Sequence, residues 1–171
     1  MKANEKRETT YSYKIMQSPV GRLKLVASER GLAAILWEND DPKRVRLGTP
    51  VEDKNNPVLL ETEQQLNDYF AGKRKKFSIK FDFAGTDFQK KVWETLAAIP
   101  FGETPSYGEI ARRIGRPDAA RAVGAAIGRN PISIAVPCHR VIGSNGKLTG
   151  FAGGLHTKAS LLSLESESQT V

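Results

Sequence analysis

Cys138 is the only cysteine in a chain of 171 residues, and it stands directly before one of only two histidines, in the run Ile134-Ala135-Val136-Pro137-Cys138-His139-Arg140-Val141. A thiol becomes the strongest side-chain nucleophile once deprotonated, and a neighbouring histidine or arginine is the kind of group that draws its pKa down. His139 and Arg140 follow it at once, so two basic neighbours of that kind adjoin the one thiol. The competing reading is that a free cysteine after apolar residues is more often a small core residue than a reagent. One cysteine cannot close an intramolecular disulfide, and with only His139 and His156 beside it the ligand set is too poor for a structural zinc site. Metal-free chemistry without a cofactor is the expectation.

Charge narrows the partner. Twenty-six Lys and Arg face nineteen Asp and Glu, a net charge of +7, which suits a polyanion. Between Ile110 and Gly150 the basic residues are Arg112, Arg113, Arg116, Arg121, Arg129, Arg140 and Lys147, and Asp118 is the only acid. Cys138 lies inside that window. The run Lys73-Arg74-Lys75-Lys76 reads as a solvated turn that could touch phosphate without specificity. An apolar fraction of 39% supports an ordinary core. No apolar run approaches a membrane span, and the polar N-terminus lacks the apolar stretch of a signal peptide. A soluble intracellular protein with a reduced thiol is expected, cytoplasmic, or nuclear in a eukaryote.

The elements that must position the thiol come in two units, 1–84 and 85–171. In the first, Tyr11 to Met16, Leu23 to Ala27 and Gly31 to Trp37 are short apolar, β-branched segments separated by the turns Ser18-Pro19-Val20-Gly21 and Glu29-Arg30-Gly31, an antiparallel meander. Residues 38–57 are polar, hold three prolines, and predict a loop with at most one short element. A helix is expected from about Leu59 to Phe70, stopped by Ala71-Gly72, and a strand over Phe77 to Phe83.

The second unit reads as helical. Thr86 with Gln89 is a capping box opening a helix whose stripe is Phe88, Val92, Trp93, Leu96 and Ala97. Ser106 with Glu109 is a second box, opening a short helix through Ile110, Ala111 and Ile114. Asp118 is placed to cap a further helix from Ala119 to about Ile127, and the turn Gly115-Arg116-Pro117 between the two makes a helix-turn-helix. That last helix carries almost only small side chains, with Arg121 as its one long polar projection. Small residues allow tight helix packing, or close approach to nucleic acid. An Ala-Gly face has almost no donors for base edges, which disfavours sequence-specific reading.

Pro137-Cys138-His139-Arg140-Val141, preceded by Asn130-Pro131-Ile132 and by Ala119-Ala120-Arg121-Ala122-Val123-Gly124, resembles the O6-alkylguanine-DNA alkyltransferase family. The resemblance runs from Phe88-Gln89 through Ser106-Tyr107-Gly108 to Gly153-Gly154-Leu155 and Lys158, and extends weakly into the first unit. It implies an α/β N-terminal domain with an RNase-H-like antiparallel sheet and a helix, followed by a mostly α C-terminal domain with a winged-helix-like helix-turn-helix. It also implies direct-reversal repair: an alkyl group on O6 of guanine, or O4 of thymine, in double-stranded DNA passes to Cys138 as a thioether, once per molecule. The expected state is a monomer, free to bind DNA cooperatively, with no membrane and no cofactor.

By the same resemblance, Cys138 is the acceptor, His139 the base that deprotonates it through a water, and Glu165 the group that orients the histidine. Asn130 holds the turn presenting the cysteine, and Tyr107 protonates or hydrogen-bonds the purine and presses on the neighbouring phosphate. The target nucleotide must leave the stack. Arg121 would fill the gap while Ala119, Ala120, Ala122 and Gly124, with Ser106, lie against the minor groove. The backbone of Cys138 and Val141 would bond the guanine edge, under a loop of Phe151, Ala152, Gly153 and Gly154. The chain departs from the family in having Phe151 and Ala152 where Tyr and Ser are common, and in lacking the usual Trp, His and Gly after Lys158. Glu165 still falls at the expected offset.

Three other readings compete. A lesion-binding protein of the same fold without chemistry would lack the acceptor cysteine, which is present here. A helix-turn-helix regulator would need base-reading side chains on the second helix. A cysteine hydrolase would need an oxyanion-hole signature, and none is clear.

Overall fold

Three strands form where the turn residues allow. The computed structural model describes residues 9–167, and in it β1 (Ser12–Ser18), β2 (Gly21–Ser28) and β3 (Gly31–Trp37) make the expected meander. β1 pairs with β2 in register from Ser12↔Ala27 to Ser18↔Gly21, leaving Pro19-Val20 as a two-residue loop closed by Gly21 at φ 102°. A fourth strand, β4 (Val51–Glu52), is the short element of the polar loop. It pairs parallel to β1, so the sheet β3-β2-β1-β4 is mixed and not purely antiparallel.

One helix, α1 (Pro57–Phe70), lies across β1, β2 and β3 and buries Leu59, Leu66 and Tyr69. It starts two residues earlier than the apolar spacing predicts. The Asn56 side chain accepts from the Val58 and Leu59 N–H groups, and Pro57 needs no hydrogen-bond partner in the first turn.

Phe77–Phe83 does not form the expected strand. It makes one isolated parallel bridge, Phe81 to Leu32, in which the Leu32 N–H donates to Lys80 O at 2.9 Å and the Asp82 N–H to Leu32 O at 2.8 Å. Gly31 permits this approach: its φ is 152°, and a Cβ there would sit 2.5 Å from Lys80 O. Further along the same edge the Ile35 N–H donates to Pro131 O at 2.9 Å. The edge of β3 is thus divided between two segments, and the second leads directly to the thiol.

The helical unit comprises α2 (Asp87–Ala97), α3 (Tyr107–Arg113), α4 (Ala120–Gly128) and α5 (Leu155–Glu167). The Thr86–Gln89 capping box is complete. At α3 only half of the expected box forms, because Ser106 accepts from the Glu109 N–H while the Glu109 carboxylate turns to Arg113. Asp118 does not cap α4. That helix starts one residue late, behind Ala119, which makes no side-chain cap bond, and the Asp118 carboxylate lies 3.6 Å from Arg116 Nε instead. The Trp93 indole N–H donates to Ala126 O at 2.8 Å and locks α2 to α4. Among the described residues the second unit has no strand: a turn at Gly143–Lys147 stands where a wing is expected, and Ser106↔Ile142 is an isolated bridge. The polar end of the sequence from Ser166 on, read from its composition as disordered, starts inside α5, which still contains Ser166; residues 168–171 lie outside the described part.

Candidate active site

The thiol is presented by a turn that the side chain of Asn130 ties at both ends. Its Oδ1 accepts from the Ile132 N–H at 3.0 Å and its Nδ2 donates to Val136 O at 2.8 Å, with the residue wholly buried. Between these bonds Ile134 takes φ 74°, and the Ala135 N–H bonds back to Ser133 O across it. A β-branched residue with positive φ is costly, on the order of 1–3 kcal/mol, and persists only where its surroundings over-determine it. Pro137, at φ −81° and ψ 65°, then makes an inverse γ-turn, with the Cys138 N–H donating to Val136 O at 2.8 Å. One short 3-10 turn follows, Cys138–Arg140.

Behind the thiol, the three ends of the fold meet at Glu165 on α5. His139 Nε2 lies 2.6 Å from Glu165 Oε2. Arg140 donates from Nε to Oε1 at 2.8 Å and from Nη2 to Oε2 at 3.1 Å, and from Nη1 to Ile99 O at 2.6 Å. The Tyr69 hydroxyl of α1 donates to Oε2 at 2.7 Å. Two turns earlier on the same face of α5, Lys158 donates to Val141 O at 2.6 Å. All five side chains are buried.

These contacts set the protonation states. Burial alone would raise the Glu165 carboxyl, but the bonds and charges of His139 and Arg140 outweigh it and hold it low. Glu165 is therefore ionised and can only accept, so the proton facing it belongs to His139 Nε2. Burial, assisted by the Arg140 and Lys158 charges, pushes His139 down against the pull of Glu165, and the ring is neutral. No described residue bonds its Nδ1, which keeps a free lone pair. The Cys138 thiol, 6% exposed, is pushed up by burial. A bond from Asn130 and the charges of Arg44 and Lys158 oppose that shift without reversing it. Neither basic neighbour draws the thiol down at rest: Arg140 spends its charge on Glu165, and His139 carries none.

Cys138 lines a cavity of about 140 Å³ with Arg44, Tyr107, Gly124, Ser133, Phe151 and Ala152 among its walls. Tyr107, at the first turn of α3, exchanges a 2.6 Å hydrogen bond with the Thr149 hydroxyl. Val141 and Gly153 are not on the wall. Val141 is fully buried with its carbonyl taken by Lys158 and its N–H donating to Cys138 O, while Gly153 abuts Trp37, whose ring a Cβ would meet at 2.7 Å. Trp37 in turn sets the loop above the thiol, packing edge-on against Phe151 at 5.5 Å and donating to Ser133 Oγ at 3.1 Å. On α4, Arg121, Ala120 and Ala122 are exposed and Gly124 is half-buried, whereas Ala119 is buried and turns away from that face. Arg121 makes no hydrogen bond or ion pair with any described residue.

Arg44 carries no signal in the sequence, since it lies in the polar loop. It is held by Asp40 through bonds of 2.7 and 2.6 Å and donates to Asn130 O at 2.7 Å, so the first unit braces the thiol turn directly. Tyr69 and Trp37 were legible only as core aromatics.

A sheet unit clamped to a helix-turn-helix unit that offers one buried thiol, with a histidine and an ionised carboxylate behind it, defines a class of cysteine-nucleophile proteins. The comparisons with known proteins name the family. Residues 87–167 match the model of the 6-O-methylguanine DNA methyltransferase DNA binding domain, and residues 11–83 that of its ribonuclease-like domain. The chain belongs to this family. It is 50% identical over 153 residues to the methylated-DNA--protein-cysteine methyltransferase of Methanosarcina acetivorans, which covers 90% of this chain and 97% of that relative. With the protein of the same description from Mycobacterium tuberculosis it shares 48% over 155 residues, 90% of this chain and 91% of the relative. The solved structure of Mycobacterium tuberculosis OGT in complex with DNA superimposes with a TM-score of 0.83 at 46% identity, over 92% of this chain and 94% of that one.

Proposed function

We propose that this chain repairs double-stranded DNA by direct reversal, moving an alkyl group from O6 of guanine, and also from O4 of thymine, onto Cys138 in a single turnover. The observation that carries the reading is a thiol on the wall of a cavity of nucleobase size, backed by a neutral histidine and an ionised carboxylate. In the resting protein the thiol is protonated, and as the substrate docks, His139 takes its proton at Nδ1 through a water. Glu165 keeps the proton on Nε2 and stabilises the imidazolium that forms. Sulfur attacks the alkyl carbon, the carbon–oxygen bond breaks, and its electron pair stays on O6. The thiol proton is returned to the base by way of Tyr107, so guanine leaves neutral and a thioether remains. A thioether is a poor leaving group, which ends the reaction at one event per molecule.

The thiol is only 6% exposed behind the cavity wall, out of reach of a base stacked in a duplex, so the nucleotide must be rotated out. Arg121, exposed and unpaired, enters the vacated stack, and Ala120, Ala122 and Gly124 let the groove approach α4. Residues 1–84 brace the site and 85–171 hold DNA and carry the acceptor. The thiol must stay reduced, which fits a cytoplasmic setting. No described helix is long and apolar enough to cross a membrane.

The test is to incubate the protein with a duplex bearing one O6-methylguanine and measure its intact mass, then map the modified peptide. The expected result is the mass of one added methylene, on the peptide containing Cys138. Binding without a change in mass, or modification elsewhere, would refute the assignment.

A further inference from the structure

We propose that Tyr69, a residue of the sheet unit, is a positioning residue for this reaction: its hydroxyl occupies Glu165 Oε2 and limits how strongly that carboxylate pulls on the His139 ring. The inference rests on the transferase reading above. Oε2 receives three donors, Tyr69 at 2.7 Å, His139 Nε2 at 2.6 Å and Arg140 Nη2 at 3.1 Å, while Oε1 receives Arg140 Nε. Three donors on one oxygen compete for its lone pairs, so each weakens the others' hold. The competition is permanent, because Tyr69 cannot turn away. Its ring is fully buried and fixed between Phe70 and Phe77, at 5.4 and 5.5 Å. Burial and the neighbouring Glu165 charge push its own ionisation far up, so it remains a donor at every working pH.

Tyr69 is also the only described residue of the first unit that hydrogen-bonds Cys138, His139 or Glu165. The other charged or titratable groups around the histidine are Arg140 beside it, Lys158 on α5 and the Cys138 thiol. None of these comes from the sheet. Without the Tyr69 hydroxyl, Glu165 would concentrate on the Nε2–H bond, His139 would become more basic, and the protonated ring, which cannot serve as a base, would persist to higher pH. The sheet unit thereby sets the lower pH limit of alkyl transfer.

Tyr69→Phe removes the hydroxyl and keeps the ring. The rate of alkyl transfer from free O6-benzylguanine is measured against pH for both proteins, with melting temperatures alongside. The acid limb should move up by about half a unit to one unit, a roughly three- to tenfold loss below its midpoint, with about twofold change or less on the alkaline plateau. In parallel, the His139 Nε2–H proton resonance, assigned in a His156→Gln background, should move downfield. A uniform loss with an unchanged midpoint, superimposable profiles, or an unmoved resonance would overturn the proposal. A wild-type protein that transfers nothing would refute the transferase reading instead, and the resonance would then decide the role of Tyr69 alone.

Discussion

Below about pH 6.5, the ordinary value of histidine, a solvent-exposed His139 takes up a proton that the buried ring refuses. Acid therefore favours the unfolded chain from that point down, and more steeply below about 4.3, where an unfolded Glu165 protonates while the folded one stays ionised. The alkaline side has the opposite origin. Folded Cys138 and Tyr69 keep protons that the unfolded chain gives up above about 8.5 and 10, respectively. Urea midpoints should thus be highest between roughly pH 6.5 and 8.5 and fall on both flanks. In His139→Gln the acid flank should begin near the carboxylate range, and a flank that still began near neutrality would show that another group causes it. The adjacency of Cys138 and His139 made them candidates from the sequence alone. Their protonation states were not legible there, because those depend on Glu165, Tyr69 and Lys158, which only the fold brings within reach.

At the scale of elements, local rules succeeded where one side chain served one helix end. Thr86 and Gln89 close on each other as their spacing dictates. Asp118 fails because its chain neighbour Arg116 offers a charge partner, and Phe77–Phe83 fails because the β3 edge is already shared. That shared edge makes Gly31 indispensable. Gly31→Ala should cost about 1–3 kcal/mol in chemical denaturation, since it adds a positive-φ penalty and forces the Lys80 carbonyl away. A cost within the usual surface range of about 0.5 kcal/mol would contradict the close approach. Helix α4 makes a separable prediction. Arg121→Ala should leave stability unchanged, because the side chain bonds no described residue, yet slow repair of duplex far more than reaction with free O6-benzylguanine. Equal losses on both substrates would mean that the arginine does not serve base extrusion.

The whole molecule works as one clamp. The sheet unit reaches the candidate site at four points: the Ile35–Pro131 bond on the β3 edge, Trp37 on the Ser133 hydroxyl, Arg44 on the Asn130 carbonyl, and Tyr69 on Glu165. The first three brace the turn that holds Ile134 at positive φ and presents Cys138, and the fourth steadies the carboxylate against His139. The basic window around the thiol was readable from composition. The bracing was not, since Arg44 sits in a polar loop with no pattern and Tyr69 is indistinguishable by spacing from any core aromatic. The central claim is that Cys138 is a single-use acceptor. The most direct measurement supplies a large excess of duplex carrying O6-methylguanine and counts restored guanines per protein. A plateau at one is expected, with Cys138→Ser restoring none. Repair continuing past one equivalent, or restoration by the serine variant, would contradict it.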